Sequence, residues 1–94
     1  MSDYEFEWDE KKASENLAKH GVTFDLACSV FKDALAVDWA DDRYEYGEDR
    51  FNTVGMVEGR LLLVALTLRN GTVRIISARA AEPHERRKYH EGEA

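Results

Sequence analysis

Two arginines lie close to a predicted β-turn, at positions where their planar guanidinium groups would share one face of a sheet. Apolar, β-branched runs on either side of Asn70-Gly71 predict a tight hairpin. Pairing outward from this turn places Thr67 opposite Arg74, with Arg69 close by, and opposed residues share a face. One face then carries the predicted core residues Leu62, Val64, Leu66, Leu68, Val73 and Ile75, and the other carries Leu63, Ala65, Thr67, Arg69, Thr72, Arg74, Ile76 and Ala78.

A third arginine joins this second face through another predicted turn, at Glu58-Gly59. The same pairing rule places Arg50 opposite Thr67, so Arg50, Thr67 and Arg74 form a row across three strands. Neighbouring arginines repel one another unless anions lie among them, and the guanidinium group matches phosphate oxygens well. The row therefore predicts either a phosphate-binding surface or a solvated face whose arginines pair with acidic residues of the N-terminal half.

Taken alone, these residues indicate a polyanion-binding domain and do not identify an enzyme; cleavage of RNA without a metal is the reaction considered for them. The 2′-hydroxyl must lose a proton and attack the adjacent phosphate, so a base, an acid and cations near the developing charge each contribute. Glu85, His20 and Glu48 are candidate bases, and Tyr89 or a histidine is the candidate acid. The candidate catalytic residues are Arg50, Thr67, Arg69, Arg74, Arg79, Glu85 and Tyr89, and the candidate substrate-binding residues are Lys19, His20, Glu48 and Arg86.

Several of these candidates also have a purely structural interpretation. His20 lies directly before Gly21 at the end of a predicted helix, where a basic side chain offsets the helix dipole. Glu85 and Tyr89 are spaced i, i+4 and would share the face by which the last helix packs on the sheet. Arg79 falls on the predicted core face at a strand end, where it would reach solvent or pair with a carboxylate.

Charge is distributed unevenly along the 94 residues, whose net charge is −6. Residues 1–49 hold five Lys/Arg and 14 Asp/Glu, residues 50–90 hold eight and three, and the last four residues add −2. This asymmetry indicates either a polyanionic partner, including non-specific RNA contact by Arg86-Arg87-Lys88, or mutual neutralisation of the two halves. The three histidines are scattered and Cys28 is expected to be a buried thiol, so no metal site and no other cofactor is predicted.

Hydrophobic periodicity predicts a single α+β domain over residues 1–94, with a mainly antiparallel sheet and the order β-α-α-β-β-β-β-α. No apolar run approaches the ~20 residues of a membrane span, and residues 1–5 lack signal-peptide features, so the cytoplasm is the expected compartment. The predicted N-terminal elements are a strand over Tyr4–Trp8, a helix from Asp9 to about Lys19 and a second helix capped by Thr23 with apolar residues through Phe31. A strand over Ala34–Ala40 and a polar loop over Asp41–Asp49 follow. The last predicted elements are a strand over Arg50–Val57, a strand that runs from the first turn to the second, a strand over Thr72–Ala80 and a helix from Glu82-Pro83 to about His90.

Beyond these patterns, the chain resembles the BrnT family of type II toxins from about Tyr4 to Tyr89. Several sequence blocks in one fixed order make this resemblance specific. The blocks are Phe6–Lys12 with Asn16, Lys19–Val22 with Phe24, Asp42-Arg43, Tyr46–Phe51, Gly59-Arg60, Thr67, Arg69, Arg74–Ala80 and Glu85–Tyr89.

The resemblance implies a RelE-like fold, with two N-terminal helices and one C-terminal helix, and a ribonuclease that arrests translation. It also implies neutralisation by a BrnA-like ribbon-helix-helix antitoxin in a complex that represses its own operon, so that DNA is contacted only through the antitoxin. A dimer, or a heterotetramer with the antitoxin, is the implied assembly. The alternative is a non-catalytic or inactive module whose role is to pair with the antitoxin for autoregulation.

Overall fold

A computed structural model describes residues 4–42 and 47–92 of the chain. The structure is of the α+β class, which confirms the predicted class. Residues 43–46 of the predicted polar loop lie outside the described residues, and they include Arg43 and Tyr46 of the sequence blocks that resemble the family. None of the described helices has the length and apolar content needed to cross a membrane. The elements are β1 (Phe6–Glu7), α1 (Glu10–His20), α2 (Phe24–Cys28), a 3-10 helix (Ser29–Lys32), β2 (Val37–Ala40), β3 (Arg50–Val57), β4 (Arg60–Arg69), β5 (Thr72–Ala80) and α3 (Pro83–Gly92).

The five strands form one mixed sheet in the order β1-β5-β4-β3-β2. Strands β2 to β5 are antiparallel, and the short β1 pairs in parallel with β5. Both central residues have positive φ in each tight turn, 51° and 78° at Glu58-Gly59 and 53° and 83° at Asn70-Gly71. These are the signs of φ in type I′ turns, whose twist suits a two-residue hairpin. The predicted turns are therefore confirmed.

A β-bulge divides the hairpin of β4 and β5 into two registers. From the turn to the pair Leu66–Ile75 the partners are those predicted, but Ala65 then pairs with Ser77, so Ile76 is an extra residue on β5. Beyond the bulge every β5 side chain moves to the face opposite the predicted one. The prediction for Ala78 and Arg79 was wrong, because a bulge inserts a residue that a regular ladder cannot contain.

The two faces of the sheet have different coverings. On the core face, aliphatic residues of the hairpin pack beneath α1 and α2, and Ala78 is fully buried there. Leu68 is 54% exposed, so its prediction as a core residue was wrong, because it lies near the end of β4 beyond the packed helices. The opposite face is covered at one end by α3, where Leu63 and Tyr89 are buried. Its other end carries Arg50, Thr67, Arg69 and Arg74, whereas Arg79 lies opposite Leu63 at the end covered by α3. We call this opposite face the arginine face.

The second N-terminal helix is shorter than the pattern predicted. The α-helical part ends at Cys28, a 3-10 helix continues to Lys32, and Cys28 is half-buried instead of buried. The 3-10 segment approaches β3 closely at Gly55, where a Cβ atom would lie 2.8 Å from Cγ1 of Val30. The absence of a side chain at Gly55 therefore lets this segment pack on the sheet.

Asn16 joins α1 to the edge of β5. Its amide nitrogen donates to the carbonyls of Ala78 (2.8 Å) and Val22 (2.9 Å), and its oxygen accepts from the Ala78 N–H (3.1 Å). Because β1 pairs with β5 only at Val73 and Arg74, the Asn16 side chain takes the place of a strand at Ala78. This contact fixes α1 beside the residues that follow the bulge.

Candidate functional site

The predicted row of Arg50, Thr67 and Arg74 is present, and β1 extends it. Arg50 pairs with Thr67 across β3 and β4, Thr67 pairs with Arg74 across β4 and β5, and Glu7 pairs with Arg74. A row of four residues on four adjacent strands thus crosses the arginine face. Its two arginines are only partly exposed, at 26% and 28% of their side chains.

Thr67 is the buried centre of this row. It is 2% exposed, and its hydroxyl donates a hydrogen bond to the backbone carbonyl of Asp49. The bond ties β4 to the segment that holds Glu48 and Arg50. Thr67 therefore holds charged neighbours in place, and its hydroxyl is already engaged.

Glu48 lies between two of the arginines. Its Oε2 atom is 3.3 Å from Nε of Arg50, and its Oε1 atom is 3.3 Å from Nη2 of Arg69. The hydrogen bond from Arg69 holds the pKa of Glu48 below its ordinary value, and the hydrogen bond from Arg50 and both positive charges act in the same direction. Glu48 is therefore a carboxylate at neutral pH, bound where the two guanidinium groups would otherwise hold another anion.

Arg74 pairs with a carboxylate from β1. Its Nη1 atom donates to Oε2 of Glu7 at 2.9 Å, and the Glu7 side chain is 42% exposed. This is an ion pair with the acidic N-terminal half, as one of the two interpretations of the charge pattern predicted. Partial exposure makes such a pair weak and readily exchanged for another anion.

Arg79 forms a bidentate ion pair with Glu85 at the start of α3. Both N–O distances are 2.8 Å, and Glu85 is 4% exposed. Glu85 also accepts the N–H of Glu82 at 2.8 Å, so it caps the first turn of the helix. Burial raises the pKa of Glu85, but the hydrogen bonds from Arg79 and Glu82 and the charges of Arg79 and His84 outweigh it and lower the pKa overall.

Tyr89 lies one turn further along α3, as its spacing from Glu85 predicted. Its hydroxyl donates to Oδ2 of Asp33 at 2.7 Å, and the side chain is 3% exposed. Burial raises the pKa of Asp33, but hydrogen bonds from the Met56 N–H, Tyr89 and the Leu35 N–H lower it overall. Tyr89 thus connects α3 to the segment that precedes β2.

The remaining predicted substrate-binding residues lie apart from the row. Lys19 and His20 form the last turn of α1, the helix that covers the core face, and Gly21 with φ 70° caps that helix. Arg86 is exposed on α3. The arginine face itself holds Arg50, Thr67, Arg69, Arg74, Arg79 and, through their ion pairs, Glu48 and Glu85.

A cavity of about 210 Å³ adjoins the arginine face between β2, β3 and α3. Trp39 and Asn52, which are direct partners across β2 and β3, line it together with Lys88 from α3. Sequence reasoning did not assign these residues to a site. Pairing outward from Glu58-Gly59 puts Asn52 opposite Ala65 on the arginine face, and a polar residue inside an apolar strand was the available signal.

Three side chains at the start of α3 have ligand atoms close enough to surround a cation. Those of Glu82, His84 and Glu85 lie within 4.8 Å of one another. However, both oxygens of Glu85 already accept hydrogen bonds from Arg79. This donor set therefore serves the ion pair and the helix cap.

Together the fold and the site define a small α+β protein with an arginine-rich sheet face. The family described as "Ribonuclease toxin, BrnT, of type II toxin-antitoxin system" matches residues 8–85, and the chain belongs to this family. The predicted resemblance is thereby confirmed, and the matched segment contains all four arginines of the face. A toxin of this class implies an antitoxin as its protein partner. No curated protein matches the chain.

Proposed function

We propose that the chain is a metal-independent endoribonuclease that cleaves RNA on the arginine face and thereby inhibits translation in the cytoplasm. The observation that carries this proposal is the row of Arg50, Thr67 and Arg74, with Arg69 and Arg79 on the same face of a ribonuclease-toxin family member. Two N-terminal helices before a largely antiparallel sheet support a RelE-like fold.

The arginines supply the charge that phosphoryl chemistry needs. When the 2′-hydroxyl attacks, negative charge builds on the phosphate oxygens, and guanidinium groups fixed around them stabilise it. Arg50 and Arg74 flank the buried Thr67, so they are held by the sheet and are not on a mobile loop. RNA phosphates would replace the exposed carboxylate partners Glu48 and Glu7 on these arginines.

The candidate acids and bases differ in how accessible their side chains are to a substrate. Glu48 is a partly exposed carboxylate beside Arg50 and Arg69, so it is the best-placed candidate base. Glu85 is buried under a bidentate contact and most directly orients Arg79. Tyr89 remains a candidate acid only if its hydrogen bond to Asp33 exchanges during the reaction.

The test is cleavage of a labelled transcript by the purified chain, with and without a chelator. Cleavage should survive the chelator and should fall at least ~100-fold in the double variant Arg69→Ala, Arg74→Ala, because charge stabilisation of this kind contributes about 10²–10³ per donor. Arg60→Ala is the matched control, since Arg60 is exposed at the other end of β4. A strict requirement for a divalent cation, or full activity of the double variant, would refute the proposal.

Inhibition of translation has its own assay. Induced expression should stop growth and the incorporation of labelled amino acids, and co-expression of a ribbon-helix-helix antitoxin of the BrnA type should restore both. Size-exclusion chromatography with light scattering would distinguish a free dimer from a heterotetramer with that antitoxin. Growth arrest without any change in protein synthesis would contradict the proposed target.

A non-catalytic module that binds the antitoxin is the second candidate. The observation in its favour is that each of the four arginines has a carboxylate partner within the chain. This alternative predicts that expression without the antitoxin neither arrests growth nor cleaves RNA, although the two proteins still form a stable complex. The same expression experiment therefore separates the two candidates.

A further inference from the structure

We infer that the cavity beside the arginine face binds one nucleobase of the RNA substrate, with Asn52 reading its edge and Trp39 supplying apolar surface. This inference rests on the proposed ribonuclease function and adds to it a determinant of base preference. It is built on three features of the cavity: an amide that faces it, the distance of that amide from Arg50, and the charges of the residues that line it.

Asn52 is the feature that indicates a ligand. It is 6% exposed and lines the cavity, and its side-chain amide makes no hydrogen bond within residues 4–42 and 47–92. Since no buried side-chain polar atom of these residues lacks a partner, the amide atoms of Asn52 reach the solvent of the cavity. A base that enters the cavity can replace that solvent on the amide. The chain therefore retains at Asn52 a donor and an acceptor that nothing in the fold requires.

The position of Asn52 relates the cavity to the phosphate-binding row. Asn52 and Arg50 are two residues apart on β3 and share its face, which corresponds to a separation of roughly 6.6–6.8 Å along the strand. This spacing is comparable to the size of a nucleotide. A nucleotide whose phosphate contacts Arg50 can therefore place its base at Asn52.

Charge determines which end of the nucleotide enters. Asp41, Asp42 and Glu85 line the cavity together with one lysine, Lys88, so carboxylates outnumber ammonium groups there and a phosphate is attracted to the arginines beyond. A base carries no formal charge, and its amino groups can donate to carboxylates. The phosphate therefore lies on the row and the base lies in the cavity.

Size and shape fit one heterocycle. The cavity of about 210 Å³ is smaller than the ~300–1,000 Å³ of drug-sized ligand pockets. Trp39 lines it, and Nζ of Lys88 lies 4.9 Å from the centre of the Trp39 ring, which holds the indole in place. An asparagine amide forms two hydrogen bonds most readily with adenine, so adenine is the expected base.

Trp39 also makes direct titration practicable. In a Trp8→Phe background Trp39 is the only tryptophan of the chain, and its fluorescence reports on the cavity. Adenosine 5′-monophosphate should change this fluorescence at lower concentrations than the guanosine, cytidine and uridine monophosphates. Ribose 5-phosphate, which has the phosphate but no base, should leave it unchanged.

Asn52→Leu should weaken binding of the adenosine nucleotide by about 5- to 100-fold, the range for a two-bond contact to a base. The variant should keep its fold, because the substitution removes no side-chain hydrogen bond within the described residues. Thr53→Val is the matched control, since Thr53 is equally buried but lies on the core face of the same strand. Equal responses to ribose 5-phosphate and the nucleotide, or unchanged binding in Asn52→Leu, would overturn the inference.

Mapping of cleavage sites distinguishes this inference from the proposed function. The parent should cut a transcript next to adenines preferentially, and Asn52→Leu should cut the same transcript without that preference. If RNA is cleaved and the base preference is unchanged in Asn52→Leu, the pocket is refuted and the ribonuclease stands. If no RNA is cleaved but the nucleotide still binds through Asn52, the ribonuclease is refuted and the pocket stands.

Discussion

Removal of the Arg79 guanidinium should destabilise the protein in a way that depends on pH. Among the described residues, Arg79→Leu leaves the Glu85 carboxylate, 4% exposed, with the Glu82 N–H and the nearby His84 as its partners. Breaking a buried ion pair costs about 3–5 kcal/mol. Because the Arg79 side chain is 28% exposed and solvent screens the pair, we expect about 2–4 kcal/mol at pH 7.

The pH dependence follows from the pKa of Glu85. In the parent this pKa lies below its ordinary value of 4.5, so the stabilisation by Glu85 is complete above pH 4.5 and is lost as pH falls through the folded-state pKa. Arg79→Leu removes the hydrogen bonds and the charge of Arg79 that lower the pKa of Glu85, so burial then raises the folded-state pKa of Glu85. The variant then takes up its proton at higher pH, and its deficit should shrink between pH 7 and about pH 4.

Urea unfolding at pH 7, 5 and 4 measures this effect. The double variant Arg79→Leu, Glu85→Leu should recover most of the lost free energy, because it removes the buried carboxylate together with its partner. Glu82→Gln is the control, since Glu82 is exposed and 3.9 Å from Arg79, and it should cost less than ~1 kcal/mol. A deficit in Arg79→Leu that stayed constant from pH 7 to pH 4 would refute this account.

Three further substitutions test other parts of the fold and site. Asn16→Ala should lower the free energy of unfolding by about 2–4 kcal/mol, because it leaves buried backbone groups without partners. Substitution of an exposed neighbour, Ser14→Ala, should change that free energy little, and equal unfolding midpoints of the two variants would contradict this. Glu48→Gln should bind RNA several-fold more tightly, because it removes an anion that competes with phosphate for the arginines. The same variant should cleave RNA more slowly if Glu48 is the base. Weaker RNA binding in a filter assay would contradict the proposed competition between Glu48 and phosphate. Gly55→Ala should lower the free energy of unfolding by about 1–3 kcal/mol, because the new Cβ atom clashes with Val30. Adding Val30→Ala should restore part of that loss in thermal melts. If the effects of the two substitutions simply add, the clash is refuted.

Turn chemistry explains why much of the sheet could be predicted. Glu58-Gly59 and Asn70-Gly71 allow positive φ at both positions, and a two-residue turn fixes the register of the strand residues next to it, up to the first bulge. The pairing of Arg50 with Thr67 and of Thr67 with Arg74 therefore followed from local residues alone. Each of these contacts depends on the turn and not on distant parts of the chain.

The bulge at Ile76 depended on distant contacts and was missed. It is accompanied by the hydrogen bonds of Asn16 to Ala78, 62 residues apart in sequence, and no local pattern reports such a contact. Its effect on the site is large, because it moves Arg79 from the predicted core face to the arginine face. The cavity at Asn52 was missed for the same reason, since α3 closes it from the end of the chain.

The Asn16 contact also bears on solubility. An edge strand with free N–H and C=O groups invites pairing with the edge of another molecule, which leads to aggregation. Beyond its two-residue pairing with β1, β5 offers such an edge. At Ala78, however, the backbone N–H and C=O are both hydrogen-bonded to the Asn16 amide. The bulge at Ile76 also interrupts the regular spacing of backbone groups just before Ala78. The same side chain that positions α1 therefore also blocks strand pairing at this point of the β5 edge.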